Sequence, residues 1–488
     1  MEVDQNVRLS SGIPGLDEVL NGGFISGRAY LVRGGPGTGK TTMGMHYLLD
    51  GVAKNEPVLF ITLVESEARH RENAKLKGTD ITGIEFLDLC PDSEFFSQMQ
   101  SYDIFASAEV EQGPTTQKIV ETVERVKPKR VFLDSMTQFR YLTTDNVQFR
   151  KQTASFLSFL VEKGATVLFT SESMDATADD DLQFMSDGVI HLDYNTMERL
   201  VSVTKFRGSS FRDGHHSAQL TAHGMEVFPR ILPATRSKQF VSESITSGIP
   251  DLDELLHGGL ERGTVTIISG PSGVGKTTLG LQFMKEAAGR GERSVVYSFE
   301  ESEGTIFHRA ESIGIPLRTM AQRGTFSLVA VEPLTITPDE FSHQVRLEVE
   351  KKGTRIIMID SVAGYRLVLR NSAEITIQLH ALLRYLNSMD ITTILINEVE
   401  SIVGDFRATE MGISYLADNI VFLRYLEMQG ELRRAIGVLK KRLSDFEKTL
   451  REYKITRYGI RVGAPLTHLR GILRGVPEWT DGPKKSES

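Results

Sequence analysis

Short apolar runs alternate with longer stretches of helical periodicity along the whole chain. The runs are Ala29–Arg33, Val58–Thr62, Val131–Asp134 and Thr166–Thr170 in the N-terminal half, and Val265–Ile268, Ser294–Ser298, Ile356–Ile359 and Thr393–Ile396 in the C-terminal half. Continuous apolar runs of this length are typical of strands that are covered on both faces. The pattern therefore predicts α/β domains with mainly parallel sheets, which bind ligands at the carboxyl ends of their strands.

The two halves of the chain repeat each other. The segment Ser11–Gly23 recurs with few changes as Ser247–Gly259, and the same offset relates Lys40 to Lys276. A repeat this long indicates two copies of a globular unit of about 225 residues, and not a solenoid of short repeats.

Composition suggests where the copies begin and end. Copy one is predicted to span residues 1–231 and copy two residues 244–465. Between them, residues 232–243 interrupt the apolar periodicity with proline and a polar run, which predicts a linker. Residues 466–488 are rich in glycine, proline and basic side chains, which predicts a flexible tail.

Charge and cysteine content exclude several classes of function. The 488 residues carry a formal net charge of −8, so no domain-wide positive field is available to hold a nucleic acid. Cys90 is the single cysteine, which excludes an intrachain disulfide and a cysteine-cluster metal site. The N-terminus lacks a secretory pattern, and no apolar run approaches the roughly 20 residues that span a bilayer. We expect a cytoplasmic protein without a membrane segment.

Each copy carries the motif G-x-x-x-x-G-K-[ST] between a predicted strand and a predicted helix. In this context the backbone N–H groups and the helix N-terminus surround a phosphate, and the lysine reaches the β and γ phosphates. A glycine-rich turn alone would not explain two full matches at corresponding positions. The predicted nucleotide-binding residues are Gly35, Pro36, Gly37, Thr38, Gly39, Lys40, Thr41 and Thr42 in copy one, and Pro271, Ser272, Gly273, Val274, Gly275, Lys276, Thr277 and Thr278 in copy two.

A magnesium ion is expected beside each P-loop. The hydroxyl of Thr41 or Thr277 is the usual protein ligand within the motif, and an acid at the end of a buried strand orients the ion. Asp134 and Asp360 stand at such strand ends, each followed by serine. The alternative is that each is only a turn residue.

Hydrolysis or phosphoryl transfer also needs a carboxylate that polarises the attacking oxygen. The candidates follow the second strand of each copy: Glu65 in copy one, and the adjacent Glu300 and Glu301 in copy two. Copy one has Val64 where copy two has its first acid. The alternative for these residues is a solvated carboxylate at a strand end.

Together these residues resemble the KaiC family, a branch of the RecA-like ATPases, across nearly the whole chain. The resemblance rests on the duplicated entry segment, both P-loops, the Glu-Ser and Asp-Ser strand ends, and a late Lys-x-Arg-Gly motif. It implies two tandem RecA-like P-loop domains that bind ATP and Mg²⁺. It also implies a double-ring homohexamer, slow ATP hydrolysis, and a role in clock-like or signalling regulation.

The resemblance assigns a role to a basic pair near the end of each copy. Lys205 and Arg207 match family residues that reach from a neighbouring subunit to the γ-phosphate, where cationic groups stabilise the transferring phosphoryl. Copy two offers Lys440 and Arg442 in the same role, but Leu443 replaces the glycine that follows. The alternative is a solvated basic strand end.

The family's clock member phosphorylates itself on an adjacent serine and threonine in its second domain. Alignment places Ser414 on that serine, Tyr415 on that threonine, and Thr409 on a further family threonine. Ser414 is therefore the expected acceptor, with Thr409 as a second candidate and Glu300 as the base. An unmodified hydroxyl near an interface is the alternative for Ser414.

Two other functions fit the same core. A recombinase or helicase would line its channel with basic and aromatic loops, whereas the corresponding loop Met174–Asp181 is acidic. A scaffold would bind ATP only to assemble, and basic residues of the tail would contact a regulatory protein. ATP turnover separates the ATPase from the scaffold.

Overall fold

A computed structural model describes most of the chain. The described residues are 7–90, 114–138, 146–172, 179–195, 198–231, 243–368, 372–399, 413–428, 430–467, 469–470 and 478–479. Contacts between residues divide the chain into two units, Met1–Arg230 and Ile231–Ser488. Apart from Glu243, the predicted linker lies outside the described residues.

The first unit consists of helices around one large sheet. Its strands are β1 (Arg8–Leu9), β2 (Phe24–Ile25), β3 (Ala29–Gly34), β4 (Val58–Thr62), β5 (Glu85–Asp88), β6 (Arg130–Asp134), β7 (Thr166–Glu172), β8 (Gly188–Tyr194), β9 (Arg199–Phe206), β10 (His215–Thr221) and β11 (Gly224–Phe228). Its helices are α1 (Leu16–Val19), α2 (Lys40–Ala53), α3 (Glu67–Leu76), α4 (Pro114–Val126), α5 (Asn146–Glu162) and α6 (Asp180–Met185).

The large sheet has the strand order β5-β4-β6-β7-β3-β8-β9-β10-β11. From β5 to β8 all neighbours are parallel, and the helices connect them. From β8 to β11 the neighbours are antiparallel. The P-loop lies between the central strand β3 and the helix α2, at the carboxyl end of the parallel part.

The second unit repeats this arrangement. Its strands are β12 (Ser244–Ile245), β13 (Leu260–Glu261), β14 (Val265–Gly270), β15 (Ser294–Ser298), β16 (Phe326–Ala330), β17 (Ile356–Asp360), β18 (Thr392–Glu398), β19 (Asn419–Met428), β20 (Glu431–Lys441), β21 (Arg451–Thr456), β22 (Gly459–Pro465), β23 (Leu469–Arg470) and β24 (Glu478–Trp479). Its helices are α7 (Pro250–Leu255), α8 (Lys276–Gly289), α9 (Glu303–Ser312), α10 (Leu317–Gln322), α11 (Pro338–Lys352), α12 (Val362–Val368) and α13 (Ser372–Ser388).

Strand order confirms the predicted fold class. The second large sheet runs β16-β15-β17-β18-β14-β19-β20-β21-β22, which is the order of the first sheet strand for strand. Its parallel part also ends where an antiparallel extension begins, between β19 and β20. Both units are therefore α/β domains of one topology with mainly parallel sheets.

Both faces of each sheet are covered, as the apolar runs predict. Successive residues of β3 point to opposite faces, and Leu31 and Val32 are both fully buried in different core clusters. In the second unit, Ile267 and Ile268 divide in the same way between two clusters. The sheet is thus a rigid layer between two cores, which fixes the ends of its strands.

The structure shows why the repeated segments Ser11–Gly23 and Ser247–Gly259 both end in glycine. Gly23 and Gly259 have φ values of +96° and +116°. A Cβ atom on Gly23 would lie 2.4 Å from the carbonyl oxygen of Leu9, and one on Gly259 would lie 2.1 Å from that of Ile245. Only glycine allows the two short strands of each entry segment to pair this closely.

The C-terminal region forms a small sheet where it is described. β23 pairs with β24 in antiparallel orientation, within the region for which the sequence predicts a flexible tail. Residues 471–477 and 480–488 lie outside the described part. Among the described helices, none is both long enough and apolar enough to cross a membrane.

Candidate functional site

Both P-loops have the backbone of a phosphate-binding loop. Gly37 and Gly273 each have a φ of +72°, and Gly39 and Gly275 have φ values of +107° and +110°. These left-handed conformations let the chain turn directly into α2 and α8, whose first N–H groups have no partner within the helix. A Cβ atom on Gly35 or Gly37 would meet no atom within 4 Å. The space above the first loop is therefore open to an anion.

The two P-loop lysines lie against their own loops. The Nζ of Lys40 donates a hydrogen bond to the carbonyl of Gly34 at 2.7 Å. The Nζ of Lys276 donates to the carbonyl of Pro271 at 2.8 Å and lies 3.7 Å from a carboxylate oxygen of Glu398. Burial lowers the pKa of both ammonium groups. A phosphate would replace these carbonyl contacts with a charged partner.

Each predicted pair of magnesium ligands is brought together. The hydroxyl of Thr41 donates to Asp134 at 2.7 Å, and that of Thr277 donates to Asp360 at 2.8 Å. A hydroxyl and a carboxylate are hard oxygen ligands that fit Mg²⁺, with phosphate and water as the remaining ligands. Among the described residues, no cluster of three or more histidine, cysteine or acidic side chains could hold a metal alone.

Negative charge accumulates around Asp360. Burial, with the nearby carboxylates of Glu301 and Glu300, raises the pKa of its carboxyl group to about 6, against the hydrogen bond from Thr277. A divalent cation at this position would favour the ionised form.

The predicted catalytic acids lie beside these pairs, with different partners in the two copies. In copy two, Ser361 donates a short hydrogen bond to Glu300, and the Nη1 of Arg309 lies 2.7 Å from both carboxylate oxygens of Glu301. In copy one, Val64 is about half exposed, so its side chain does not fill a core. The missing acid is thus a change in the site and not in the packing.

Glu65 has a buried histidine behind it. Its carboxylate oxygens lie 3.8 Å from Nδ1 of His70 and 4.0 Å from Nε of Arg69. His70 packs against the rings of Phe60 and Phe86. Burial lowers the pKa of His70, against the attraction of Glu65, so the imidazole favours its neutral form. The sequence analysis did not identify His70.

A cavity opens beside each P-loop. In copy two it encloses about 330 Å³ and is lined by P-loop residues together with Glu300, Glu301, Arg309 and Asp360. In copy one it encloses about 490 Å³ and extends from Thr41 past Glu65. Both volumes lie within the usual range for small-molecule sites.

A tyrosine and an arginine over each P-loop were not predicted. Tyr194 pairs across β8 and β9 with Arg199, whose guanidinium lies 4.0 Å from the ring centre and donates to the carbonyl of Gly37 at 2.8 Å. Tyr425 and Arg434 form the same cross-strand pair in copy two. The sequence signal that could have identified this pair is that the tyrosine and the arginine both recur in the corresponding hairpin of copy two.

The basic residues predicted to act on a neighbour are held by their own chain. In copy one, the Nζ of Lys205 donates to the carbonyls of Gln183 at 2.7 Å and Phe184 at 3.2 Å. Arg207 lies 3.7 Å from Asp187. Burial lowers the pKa of Lys205, and the nearby charge of Arg207 lowers it further.

Copy two holds its basic pair in the same way. The Nζ of Lys440 donates to the carbonyls of Ser414 at 2.9 Å and Ala417 at 2.6 Å, and Arg442 donates to the carbonyl of Tyr415 at 3.0 Å. Leu443 is half exposed, so it does not displace the pair into the core. The proposed acceptor segment and the basic pair are therefore in contact.

Each basic lysine lies at the opposite end of the sheet from its own P-loop. Lys205 is paired with Val189, which is level with Leu31 in the central strand, and its contacts lie on the segment before β8. Arg199 lies six residues earlier on the same strand, about 20 Å away, and contacts the P-loop. The side-chain contacts of Lys205 thus point away from the P-loop of its own copy.

Of the two predicted phosphate acceptors, Ser414 lies in the described part of the chain, half-buried in a 3₁₀ turn, Ile413–Tyr415. Thr409 lies outside the described residues, as do most of the acidic loop Met174–Asp181 and the basic tail residues beyond Trp479.

Comparison with known proteins agrees with this architecture. The family model of the KaiC ATPase matches residues 9–231 and again residues 245–467. The circadian clock protein KaiC3 of Synechocystis is 29% identical, over an alignment that covers 98% of this chain and 96% of that protein. The circadian clock oscillator protein KaiC of Synechococcus elongatus is 28% identical, over an alignment that covers 98% of this chain and 93% of that protein. The chain thus belongs to the KaiC family of ATPases.

Proposed function

We propose that this protein binds Mg-ATP at both P-loops and hydrolyses it slowly, as a double-ring homohexamer whose sites are completed by neighbouring subunits. The observation that carries the proposal is the position of the basic pairs. In each copy the lysine and arginine lie at the end of the sheet opposite to their own P-loop. They complete a site only if another subunit brings its P-loop to that end.

The chemistry follows from the arrangement around each P-loop. Lys40 and Lys276 bind the phosphates, and Thr41 with Asp134, or Thr277 with Asp360, binds Mg²⁺. Water attacks the γ-phosphorus while a glutamate accepts its proton, and ADP leaves. The lysine and arginine of the neighbour stabilise the charge that develops on the phosphoryl group.

We propose a further activity for copy two, the transfer of the γ-phosphoryl group to Ser414. The backbone carbonyl of Ser414 accepts a hydrogen bond from Lys440, which the proposed ring places at the neighbour's nucleotide. The hydroxyl oxygen of Ser414 would attack the γ-phosphorus, Glu300 would take the proton, and ADP would leave. A regulatory role for the protein is part of the proposal, since its relatives are named circadian clock proteins.

Purified protein incubated with Mg-ATP tests both activities. We expect slow ATP turnover and hexamers by light scattering. Mass spectrometry should detect phosphate on Ser414, and Lys276→Ala should remove it while copy one continues to bind nucleotide. Hexamers without any turnover would contradict the ATPase and favour a scaffold. Phosphate on Ser414 in Lys276→Ala would contradict the assignment of the kinase to copy two.

A further inference from the structure

The two adjacent acids of copy two have unlike surroundings. Both oxygens of Glu301 lie 2.7 Å from one guanidinium nitrogen of Arg309. Glu300 instead accepts a hydrogen bond from a neutral hydroxyl, that of Ser361, and is exposed beside the P-loop. Both acids and Arg309 line the same cavity. The sequence alone presents the acids as equivalent neighbours, and the structure does not.

Contact with a guanidinium limits what a carboxylate can do. A general base needs a free lone pair directed at the proton that it accepts. The charge-assisted contact engages both oxygens of Glu301, holds the carboxylate towards Arg309 and stabilises its ionised form, so Glu301 is a weaker acceptor for the proton of a water molecule. About a third of each side chain is exposed, so solvent weakens the pair without abolishing it.

Copy one lacks this arginine. Asn73 follows Glu65 by eight residues, as Arg309 follows Glu301, and it also lines its cavity. Among the described residues, Arg69 and His70 are basic side chains within ion-pair distance of Glu65, at 4.0 Å and 3.8 Å, which are not hydrogen-bond distances. Glu65 is therefore held less firmly than Glu301.

We propose that Arg309 is a positioning residue that withholds Glu301 from water activation and leaves Glu300 as the base of copy two. Copy one has Asn73 at the position of Arg309 and Val64 at the position of Glu300. There Glu65, which corresponds to Glu301, accepts the proton of water. The inference rests on the proposed ATPase function. It assigns the two copies different bases: Glu65 in the first and Glu300 in the second.

The test measures ATP turnover in a Glu65→Gln background, which suppresses copy one. Glu300→Gln should lower the remaining kcat by about 100-fold, the lower end of the usual range for a lost general base. Adding Arg309→Asn to Glu300→Gln should raise kcat at least tenfold above that of Glu300→Gln, since the released Glu301 can accept the proton. Adding Glu301→Gln as well should abolish the recovery. A structural role for Arg309 would not produce such a gain.

Copy one allows the reverse experiment. Asn73→Arg in the Glu300→Gln background, which suppresses copy two, should lower the kcat of copy one by placing a guanidinium at Glu65. For the copy-two experiment, Arg318→Asn is the matched control, since Arg318 forms an ion pair with Glu311 outside the copy-two cavity. Added to Glu65→Gln/Glu300→Gln in place of Arg309→Asn, it should give no recovery.

Three results would be decisive against the inference or its basis. If Glu300→Gln and Glu300→Gln/Arg309→Asn turn over equally, Arg309 does not withhold Glu301. If Arg309→Asn raises the KM for ATP and leaves kcat unchanged, the arginine binds nucleotide instead. If Lys276→Ala in the Glu65→Gln background leaves turnover intact, the ATPase assignment of copy two fails, whatever Arg309 does.

Discussion

At the scale of single residues, the two copies share the framework of the P-loop site and differ around it. The threonine, aspartate and lysine of each P-loop site have nearly the same contacts in both units. Two of the differences lie beside the acids: Val64 corresponds to Glu300, and Asn73 corresponds to Arg309. In the proposed scheme, these two substitutions change which carboxylate is available to water.

A glycine in each P-loop helix sets the distance to the strand that bears the aspartate. A Cβ atom on Gly44 would lie 2.1 Å from the ring of Phe132, and one on Gly280 would lie 2.3 Å from the sulfur of Met358. Phe132 is fully buried, whereas a methionine side chain is flexible and can move aside. We expect Gly44→Ala to destabilise the first unit by about 2 kcal/mol, a typical cost of overpacking, and Gly280→Ala to cost the second unit less.

Thermal unfolding of the two variants measures the difference. Gly289→Ala is the control, because a Cβ atom there would meet nothing within 4 Å and alanine favours a helix. It should leave stability unchanged or raise it by up to about 1 kcal/mol. Equal losses for Gly44→Ala and Gly280→Ala would show that the contacted side chain does not determine the cost.

The sequence predicts phosphate and metal ligands well because the chemistry fixes their types and spacing. Lys40, Thr41 and Asp134 could be named before their positions were known. The hydroxyl of Thr41 does contact Asp134, and Lys40 lies against the end of the P-loop strand β3. Arg309 and Arg199 could not, since each is defined by a contact across the fold and not by a spacing along the chain. The repeat was the usable signal for Arg199, whereas Arg309 differs between the copies.

At the scale of elements, β9 and β20 each carry basic residues at both ends of the sheet. β9 carries Arg199 beside its own P-loop and Lys205 at the far end, and β20 carries Arg434 and Lys440 in the same relation. This antiparallel extension was not predicted, because its strands are partly exposed and lack the continuous apolar runs of the parallel part.

The basic pair of each copy, Lys205 with Arg207 or Lys440 with Arg442, is called its finger, and the strand that leads into it is called the finger strand. The finger strand of copy two, β20, is fixed by a buried ion pair that copy one does not have. Lys441 lies between Lys440 and Arg442, and its Nζ is 2.9 Å from Glu261, with both side chains almost fully buried. The equivalent residues of copy one are Phe206 and Ile25, which lie in one apolar core cluster. The same position in the fold is thus filled by charge in one copy and by apolar packing in the other.

Removing one member of this pair should be costly. Lys441→Met would leave the carboxylate of Glu261 buried without its cation, at a cost of about 3–5 kcal/mol. The double variant Lys441→Phe/Glu261→Ile installs the copy-one residues and should recover most of that loss. Hydrogen exchange of β20 peptides across a urea series measures the stability of the second unit.

An exposed pair supplies the control for this prediction. Arg318→Met removes the partner of Glu311 on the surface and should change stability by no more than about 0.5 kcal/mol. If Lys441→Met costs no more than Arg318→Met, the buried pair does not hold the finger strand.

At the scale of the whole molecule, duplication has produced two units with one topology and different site chemistry. The apolar runs and the repeat predicted the units and their parallel strands, because strands covered on both faces have a strong sequence signal. Assembly has no such signal in composition or periodicity. It is inferred from the position of the basic pairs, at the end of the sheet opposite to the P-loop of their own copy.

Mixing two inactive variants tests whether the fingers act between subunits. Both carry Glu65→Gln to suppress copy one; the first adds Lys276→Ala, which disables the P-loop of copy two, and the second adds Lys440→Ala/Arg442→Ala. Alone, neither should turn over ATP in copy two. In mixed rings, an intact P-loop of the second variant meets intact fingers of the first at roughly a quarter of the sites, by random choice of neighbours in a symmetric ring.

Turnover should therefore reappear on mixing, at about a quarter of the rate of the Glu65→Gln parent, provided that the subunits are mixed before the rings form. Fingers that act within their own chain would give no recovery, because no subunit then has both an intact P-loop and an intact finger. Lys40→Ala and Lys205→Ala/Arg207→Ala variants, prepared in a Glu300→Gln background, repeat the experiment for copy one. Recovery in copy one but not in copy two would show that the basic pair acts between subunits in copy one alone. Leu443, which stands where copy one has a glycine, would then be the first residue to exchange.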